Sequence, residues 1–306
     1  MKNRIQFQRG MSWLHFLSRF GTEESCRRAL FLARWPTGFR CPACGSATYC
    51  TLHNRGLYQC NHCHHQTSLT ANTLFGSTKV GLRVWLMAIY ELTQSKDGIS
   101  ALNLSRRLGV SYNTAWLIKQ KLVHAMLTQD LRDVLSGRVE LDDAYWGGQS
   151  HGGKRGRGAP NKCPFLAAVE TTSDGHPLRM KLSVFARFEA FSIARWARKY
   201  LAPSTTVVSD AYGPLCGVEE AGLSHEVLVT GGGFRSMEVE ALQWVNIMLG
   251  NVKNSLRGTY HGMRRKHLAR YLAEFSYRFN RRFHLEFLVD ELLKARSRCR
   301  PFLSGL

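Results

Sequence analysis

The stretch Val139-Glu140-Leu141-Asp142-Asp143-Ala144-Tyr145 embeds three carboxylates in an otherwise apolar strand pattern. Such a strand excludes ionised groups unless they are paired or hold a cation, so the stretch marks a functional site. Side chains alternate between the faces of a strand, so Glu140 and Asp142 share one face and Asp143 points to the other. A second apolar run, Val207-Val208-Ser209, delivers Asp210 at its C-terminal end. Either aspartate alone is also what a strand end or a helix cap provides; the two together in one basic chain point to chemistry.

Working outward, residues 138–145, 163–171 and 177–184 carry strand patterns and residues 188–201 the periodicity of an amphipathic helix, with a short buried strand at 205–209. Three successive strands, a helix and a further strand follow the order of a ribonuclease H-like domain, so the expected fold class is α/β. Between the first two strands lies WGGQSHGGKRGRGAPNK, residues 146–162. Its glycines prevent regular structure, and Lys154, Arg155, Arg157 and Lys162 make it a basic loop offered to DNA.

Lys and Arg outnumber Asp and Glu by 42 to 22, giving +20 and favouring a polyanionic partner, nucleic acid before an anionic membrane. With 44% hydrophobic and 11% aromatic residues the chain is not disordered. No apolar run approaches the roughly 18 residues of a membrane span. The opening MKNRIQFQRG lacks the apolar core of a secretory signal, so a cytoplasmic, nucleoid-associated protein without membrane contact is expected.

Nine cysteines without a secretion signal argue for reduced thiols and a metal. Cys41-Pro-Ala-Cys44 and Cys60-Asn-His-Cys63, fifteen residues apart, are two knuckles at zinc-ribbon spacing, so one structural Zn²⁺ per chain is expected on these four thiolates. His62, His64 and His65 read as surface residues, because the thiolates already close the site. Further on, Ser100 caps a helix through Leu108, Gly109-Val110 turns the chain, and Ser111 caps a second helix. This is the layout of a helix-turn-helix, although a plain helical hairpin has the same pattern. Ala101, Leu104, Leu108, Val110, Ala115 and Leu122 would form its core and leave Tyr112, Asn113, Thr114, Lys119 and Lys121 to DNA. Asn113 would read an adenine edge and the lysines would meet phosphates. The expected domains are a helical cap (1–36), the zinc ribbon (37–76), the helix-turn-helix (77–130) and a catalytic domain with C-terminal helices (131–306).

The chain resembles the insertion-sequence 1595 family of bacterial DDE transposases. The resemblance runs through Trp35-Pro36-Thr37-Gly38-Phe39-Arg40-Cys41-Pro42, both knuckles, the Asp142-Asp143 strand ending in Gly147-Gly148, and Val208-Ser209-Asp210. It continues through Trp244-Val245-Asn246, Gly250-Asn251-Val252-Lys253, Gly258-Thr259-Tyr260-His261, Tyr271-Leu272-Ala273-Glu274-Phe275 and Tyr277-Arg278-Phe279-Asn280-Arg281-Arg282. It implies that Asp142 and Asp210 bind metal and that Asn246 fills the third position, where most such enzymes have Glu. Thirty-five residues lie between Asp210 and Asn246, and Lys253 follows Asn246 by seven, two turns along the same helix face. Glu238 and Glu240 are alternative third carboxylates, but either breaks the spacing to Lys253. Glu140 would join the metal shell or pair with an arginine; His261 would approach the scissile phosphate or support the fold. Arg264, Arg265 and Lys266 would contact phosphates or form a solvated face.

The implied reaction is Mg²⁺-dependent cleavage of double-stranded DNA at terminal inverted repeats, followed by strand transfer into target DNA. Two Mg²⁺ ions would act, with Mn²⁺ as a substitute. Joining two ends calls for a homodimer or larger assembly. The rival readings are a catalytically inactive DNA-binding regulator derived from a transposase and a structure-specific nuclease that does not join ends.

Overall fold

Ser12, Thr22 and Ser100 each stand one residue ahead of a helix and satisfy amides its first turn leaves open. The Ser12 hydroxyl accepts from the His15 amide ahead of α1 (Trp13–Phe20), and Thr22 exchanges reciprocal bonds with Ser25 at the head of α2 (Glu23–Arg34). Where Gly81 offers no capping side chain to α3 (Leu82–Gln94), Glu23 reaches across and accepts from the Leu82 and Arg83 amides at 2.8 and 3.0 Å. The computed structural model describes residues 9–147, 162–229, 240–260 and 263–295. Their contacts separate two units, one formed by the chain up to Ala125 with the segment from Arg281 onward, the other by Met126–Asn280.

In the first unit, α1, α2 and α3 pack together over Phe16, Phe20, Leu30 and Leu86. A small antiparallel sheet, β1 (Tyr49–Leu52), β2 (Leu57–Cys60) and β3 (Gln66–Ser68), lies between α2 and α3 in sequence. Two further helices, α4 (Ala101–Leu108) and α5 (Tyr112–Asp130), meet at a turn. Gly109 adopts a left-handed φ of 64° there, which directs its N–H to the Ser105 carbonyl and ends α4. Leu104, Leu108, Ala115 and Leu122 are buried, whereas Ala101 and Val110 are half-buried.

Two expectations change in this unit. Lys119 is buried and Lys121 is half-buried. Lys119 is 1% exposed and donates to the Ile99 carbonyl, and Lys121 donates to the Gly76 carbonyl at 3.0 Å with its ammonium over the Trp85 ring. Two residues apart, they leave α5 on different sides, and each charge satisfies a loop carbonyl. The C-terminal segment, read from the sequence as part of the 131–306 domain, packs with the first unit instead. The helix at Leu288–Leu293 buries four of its residues against α2 and α3, Asp290 takes a two-pronged bond from Arg19 (2.7 and 3.0 Å), and Gln94 donates to the Leu285 carbonyl at 2.8 Å.

The second unit is built on a five-stranded sheet. Its strands are β4 (Arg138–Trp146), β5 (Cys163–Thr171), β6 (Pro177–Val184), β7 (Thr206–Asp210) and β8 (Ser224–Leu228), in the spatial order β6-β5-β4-β7-β8. The pairs β6–β5 and β5–β4 are antiparallel; β4–β7 and β7–β8 are parallel. The crossover from β6 to β7 passes through α6 (Ala190–Tyr200), which covers the face carrying Val139, Leu141, Leu166, Ala168 and Val207, and the short α7 (Gly217–Glu220) lies between β7 and β8. The opposite face, with Phe165, Ala167, Val169, Met180 and Val208, is covered by α8 (Gln243–Tyr260) and α9 (Leu268–Asn280). Burial on both faces explains why β5 shows no polar alternation.

One buried ion pair ties this unit together. The Lys181 ammonium bonds the Asp130 carbonyl and lies 3.4 Å from the Asp130 carboxylate, which also accepts from Ser276 at 2.9 Å. Burial pushes Asp130 up and Lys181 down, each against the pull of its partner. Removing one member would leave a buried charge unpaired, a loss of about 3–5 kcal/mol in comparable pairs.

Candidate active site and metal centre

The parallel pairing of β4 with β7 decides where the acids sit. Its register sets Glu140 opposite Val208 and Leu141 opposite Ser209, so Asp142, midway along β4, and Asp210, at the C-terminal end of β7, come next on adjacent strands. Carboxylate oxygens of Asp142, Asp143 and Asp210 lie within 4.8 Å of one another, all three residues half-buried. Asp143 is an addition to the sequence reading, which set it on the opposite face. Its carboxylate nonetheless reaches the cluster, and its amide donates to Asp142 at 2.7 Å. The Asp142-Asp143 doublet was the available signal. Asp210 is held by the Tyr212 amide at 3.2 Å.

Burial, then the charges of Asp143 and Asp210, push the Asp142 carboxyl up to about 7. The Asp143 amide and the Lys253 ammonium oppose that rise, so Lys253 of α8 acts on the acidic cluster. Asn246, half-buried in the first turn of α8, and Lys253, half-buried two turns on, share the face the spacing required. Three hard oxygen donors in mutual repulsion form a set that a divalent cation would neutralise, so the residues fit a Mg²⁺-type ion.

Glu140 takes a part the sequence reading did not include, while the Arg138 charge also acts on it. It is 3% exposed and lies outside the clustered carboxylates. Its carboxylate accepts the Val245 amide at 2.8 Å and is bonded by the Trp244 amide, capping α8 from β4. Burial raises its pKa, and those two amides oppose the rise.

The second metal centre is the cysteine cluster. Sulfur atoms of Cys41 and Cys63 are 3.6 Å apart, as are those of Cys44 and Cys60, and all four lie within 4.8 Å. Tetrahedral bonds of about 2.3 Å set sulfurs about 3.8 Å apart, so the four fit Zn²⁺. The Cys63 amide, followed by that of His62, holds the Cys60 thiol down to about 6, favouring the thiolate a metal requires. The knuckles turn alike, with Gly45 and His64 each four residues after a first cysteine and left-handed at φ 76° and 56°. His62, His64 and His65 are exposed and outside the cluster. Phe31, Trp35, Phe39, Tyr49 and Tyr58 pack with ring centroids 4.6–6.4 Å apart, so aromatic contacts join α2 to the ribbon.

Residues 134–280 match the family model of the ISXO2-like transposase domain, and residues 21–66 match the transposase zinc-ribbon domain, both of the insertion-sequence 1595 type. The chain carries a transposase domain and a transposase zinc ribbon of this family. It is also 27% identical over 238 residues to a protein of Halobacterium salinarum described as an uncharacterized protein in transposable element ISH50, covering 71% of this chain and 77% of that relative. The transposase-domain match ends at residue 280, where the second unit ends, and the zinc-ribbon match starts at residue 21, so it includes α2.

Of the other residues read from the sequence, Tyr112 and Asn113 are exposed in the first turn of α5 and Thr114 is half-buried. Arg264, Arg265 and Lys266 are exposed ahead of α9. Lys154, Arg155, Arg157, Glu238 and His261 lie outside the described residues, and Glu240 opens a short 3-10 turn before α8.

Two outcomes are expected. Cys60→Ser should lower zinc content from about one ion per chain towards zero by elemental analysis, while the second unit keeps its unfolding transition; unchanged zinc would refute the ligand set. The second concerns pH. Asp142 has a folded value near 7, above its ordinary value near 4, so its protonated form stabilises the fold at low pH. That contribution is lost as pH rises from about 4 to 7. In EDTA, Asp142→Asn should therefore exceed wild type in stability at pH 8 by on the order of 2–4 kcal/mol, an advantage that vanishes towards pH 4. Denaturant titrations at each pH measure it, and a pH-independent difference would contradict the assignment.

Proposed function

We propose that the chain is an active DDE-type transposase, binding the terminal inverted repeats of its element and catalysing DNA cleavage and strand transfer at Asp142, Asp210, Asn246 and Lys253. The observation that carries this is the convergence of Asp142, Asp143 and Asp210 on the adjacent strands β4 and β7, under the influence of Lys253. Antiparallel β6, β5 and β4 continued by parallel β7 and β8, with helices on both faces, supports reading the domain as ribonuclease H-like.

Asp142 and Asp210 would hold the catalytic Mg²⁺, with the Asn246 amide oxygen as a neutral third donor. When bound, Mg²⁺ supplies charge neutralisation at the scissile phosphate and lowers the pKa of an attacking water or DNA 3′-hydroxyl. The Lys253 ammonium orients the phosphate, and Glu140 holds the start of α8 so that Asn246 and Lys253 face the aspartates. Zinc keeps the ribbon folded. The α4–turn–α5 pair is read as a helix-turn-helix, with Tyr112, Asn113 and Thr114 meeting base edges and phosphates and Arg264, Arg265 and Lys266 adding phosphate contacts. Two ends joined in concert require at least a homodimer on DNA. No helix among the described residues is long and apolar enough to cross a membrane, which agrees with work on cytoplasmic DNA.

Asn246 tests the reading most narrowly, because an amide coordinates Mg²⁺ without contributing charge. Asn246→Ala should abolish both cleavage and strand transfer on labelled ends while leaving end binding intact. Asn246→Asp should retain some activity with an altered balance between Mg²⁺ and Mn²⁺. Cleavage near the wild-type rate in Asn246→Ala would remove this residue from the site.

A further inference from the structure

The outer edge of β6 carries a cavity of ≈ 870 Å³ within the second unit, lined by Leu182–Val184, the start and outer side of α6, and Arg265 and Ala269. Four exposed cations converge on it: Arg187, Arg195, Lys199 and Arg265. Glu189 is the one exposed carboxylate in the lining, and Asp130 is already engaged by Lys181 and Ser276. None of the four cations forms an ion pair among the described residues. Arg265 instead donates to the Ala186 carbonyl at 3.4 Å, which holds its guanidinium at the strand end.

Position relative to the acids gives this cluster a use. The sheet register sets Asp142 opposite Ala167 and Ala167 opposite Leu182, so the cavity wall shares a row with Asp142. Two strand spacings separate them, about 10 Å. Because β5 between them is buried on both faces, that distance is the minimum, and a DNA strand rising about 3.4 Å per nucleotide needs at least about three nucleotides to reach the cavity. Guanidinium forks match phosphate oxygens, and Arg195 and Lys199 stand one turn apart on α6, offering two charges along a backbone.

We propose that this cavity is a phosphodiester-backbone site that holds the DNA strand about three to five nucleotides from the scissile phosphate, with Arg187, Arg195 and Lys199 acting beside Arg265. The proposal rests on the transposase reading and adds three residues that neither the motifs nor the family matches single out. It differs from base reading by α5, because a backbone site is indifferent to sequence and responds to salt.

The test measures the affinity of the full-length protein for a labelled transposon end across a salt series, with cleavage assayed in parallel. Arg195→Gln and Lys199→Gln should each lower the slope of log affinity against log salt by about 0.9, and the double variant by about twice that. Arg198→Gln loses the same charge outside the cavity lining and should leave the slope unchanged. Methylphosphonate substitution three to five nucleotides from the cleavage position should weaken wild-type binding and leave the double variant unaffected. Thermal melting checks that the variants fold, which exposed glutamines permit. If wild type binds and cleaves but the double variant keeps the full slope, the cavity assignment falls alone; if wild type neither binds nor cleaves the end, the transposase reading falls with it.

Discussion

The bond from the Val245 amide to the Glu140 carboxylate is the constraint on which the catalytic unit depends. Glu140 is fixed in the middle of the central strand, two residues before Asp142, and it ends the search of α8 for a starting position. Once it takes the Val245 amide, Asn246 follows by one residue and Lys253 by two further turns. A buried carboxylate at a helix N-terminus is favoured both by the open amides and by the helix dipole, a combination that reaches about 2 kcal/mol in partly buried settings. One strand thereby supplies acids to the carboxylate cluster and the anchor for the helix carrying Asn246 and Lys253. The raised pKa of Asp142 records the cost of this arrangement, since three carboxylates are held together where water is scarce.

The first unit is organised by a different constraint. Its three short strands bury little by themselves, and its stability comes from the tetrahedral sulfur cluster on one side and the aromatic group from α2 and the ribbon on the other. Small elements with so few apolar contacts require a metal or a neighbouring helix to fold. Here the four cysteines fit a metal and α2 is the neighbouring helix, while the helix at Leu288–Leu293 packs against α2 beside the Arg19–Asp290 bond.

Much of this was legible in the sequence because local chemistry decided it. The strands at 163–171 and 177–184 match the observed bounds, and the cysteine knuckles and the caps at Ser100 and Ser111 lie where their spacing put them. What escaped depended on long-range contacts. Glu140 was read as a ligand or an arginine partner because its actual partners, two backbone amides about a hundred residues away, have no signature in sequence. Lys119 and Lys121 look exposed by type, yet loop carbonyls at Ile99 and Gly76 take their charges inward. The segment beyond Arg281 continues the catalytic half in sequence, but its apolar face fits α2 and α3.

The central claim, that the clustered acids of β4 and β7 perform metal-dependent phosphoryl transfer on DNA, is most directly tested at Asp210. A labelled transposon end incubated with Mg²⁺ should be cleaved by wild-type protein and left intact by Asp210→Asn, with equal end binding by both. Undiminished cleavage by Asp210→Asn would contradict the account.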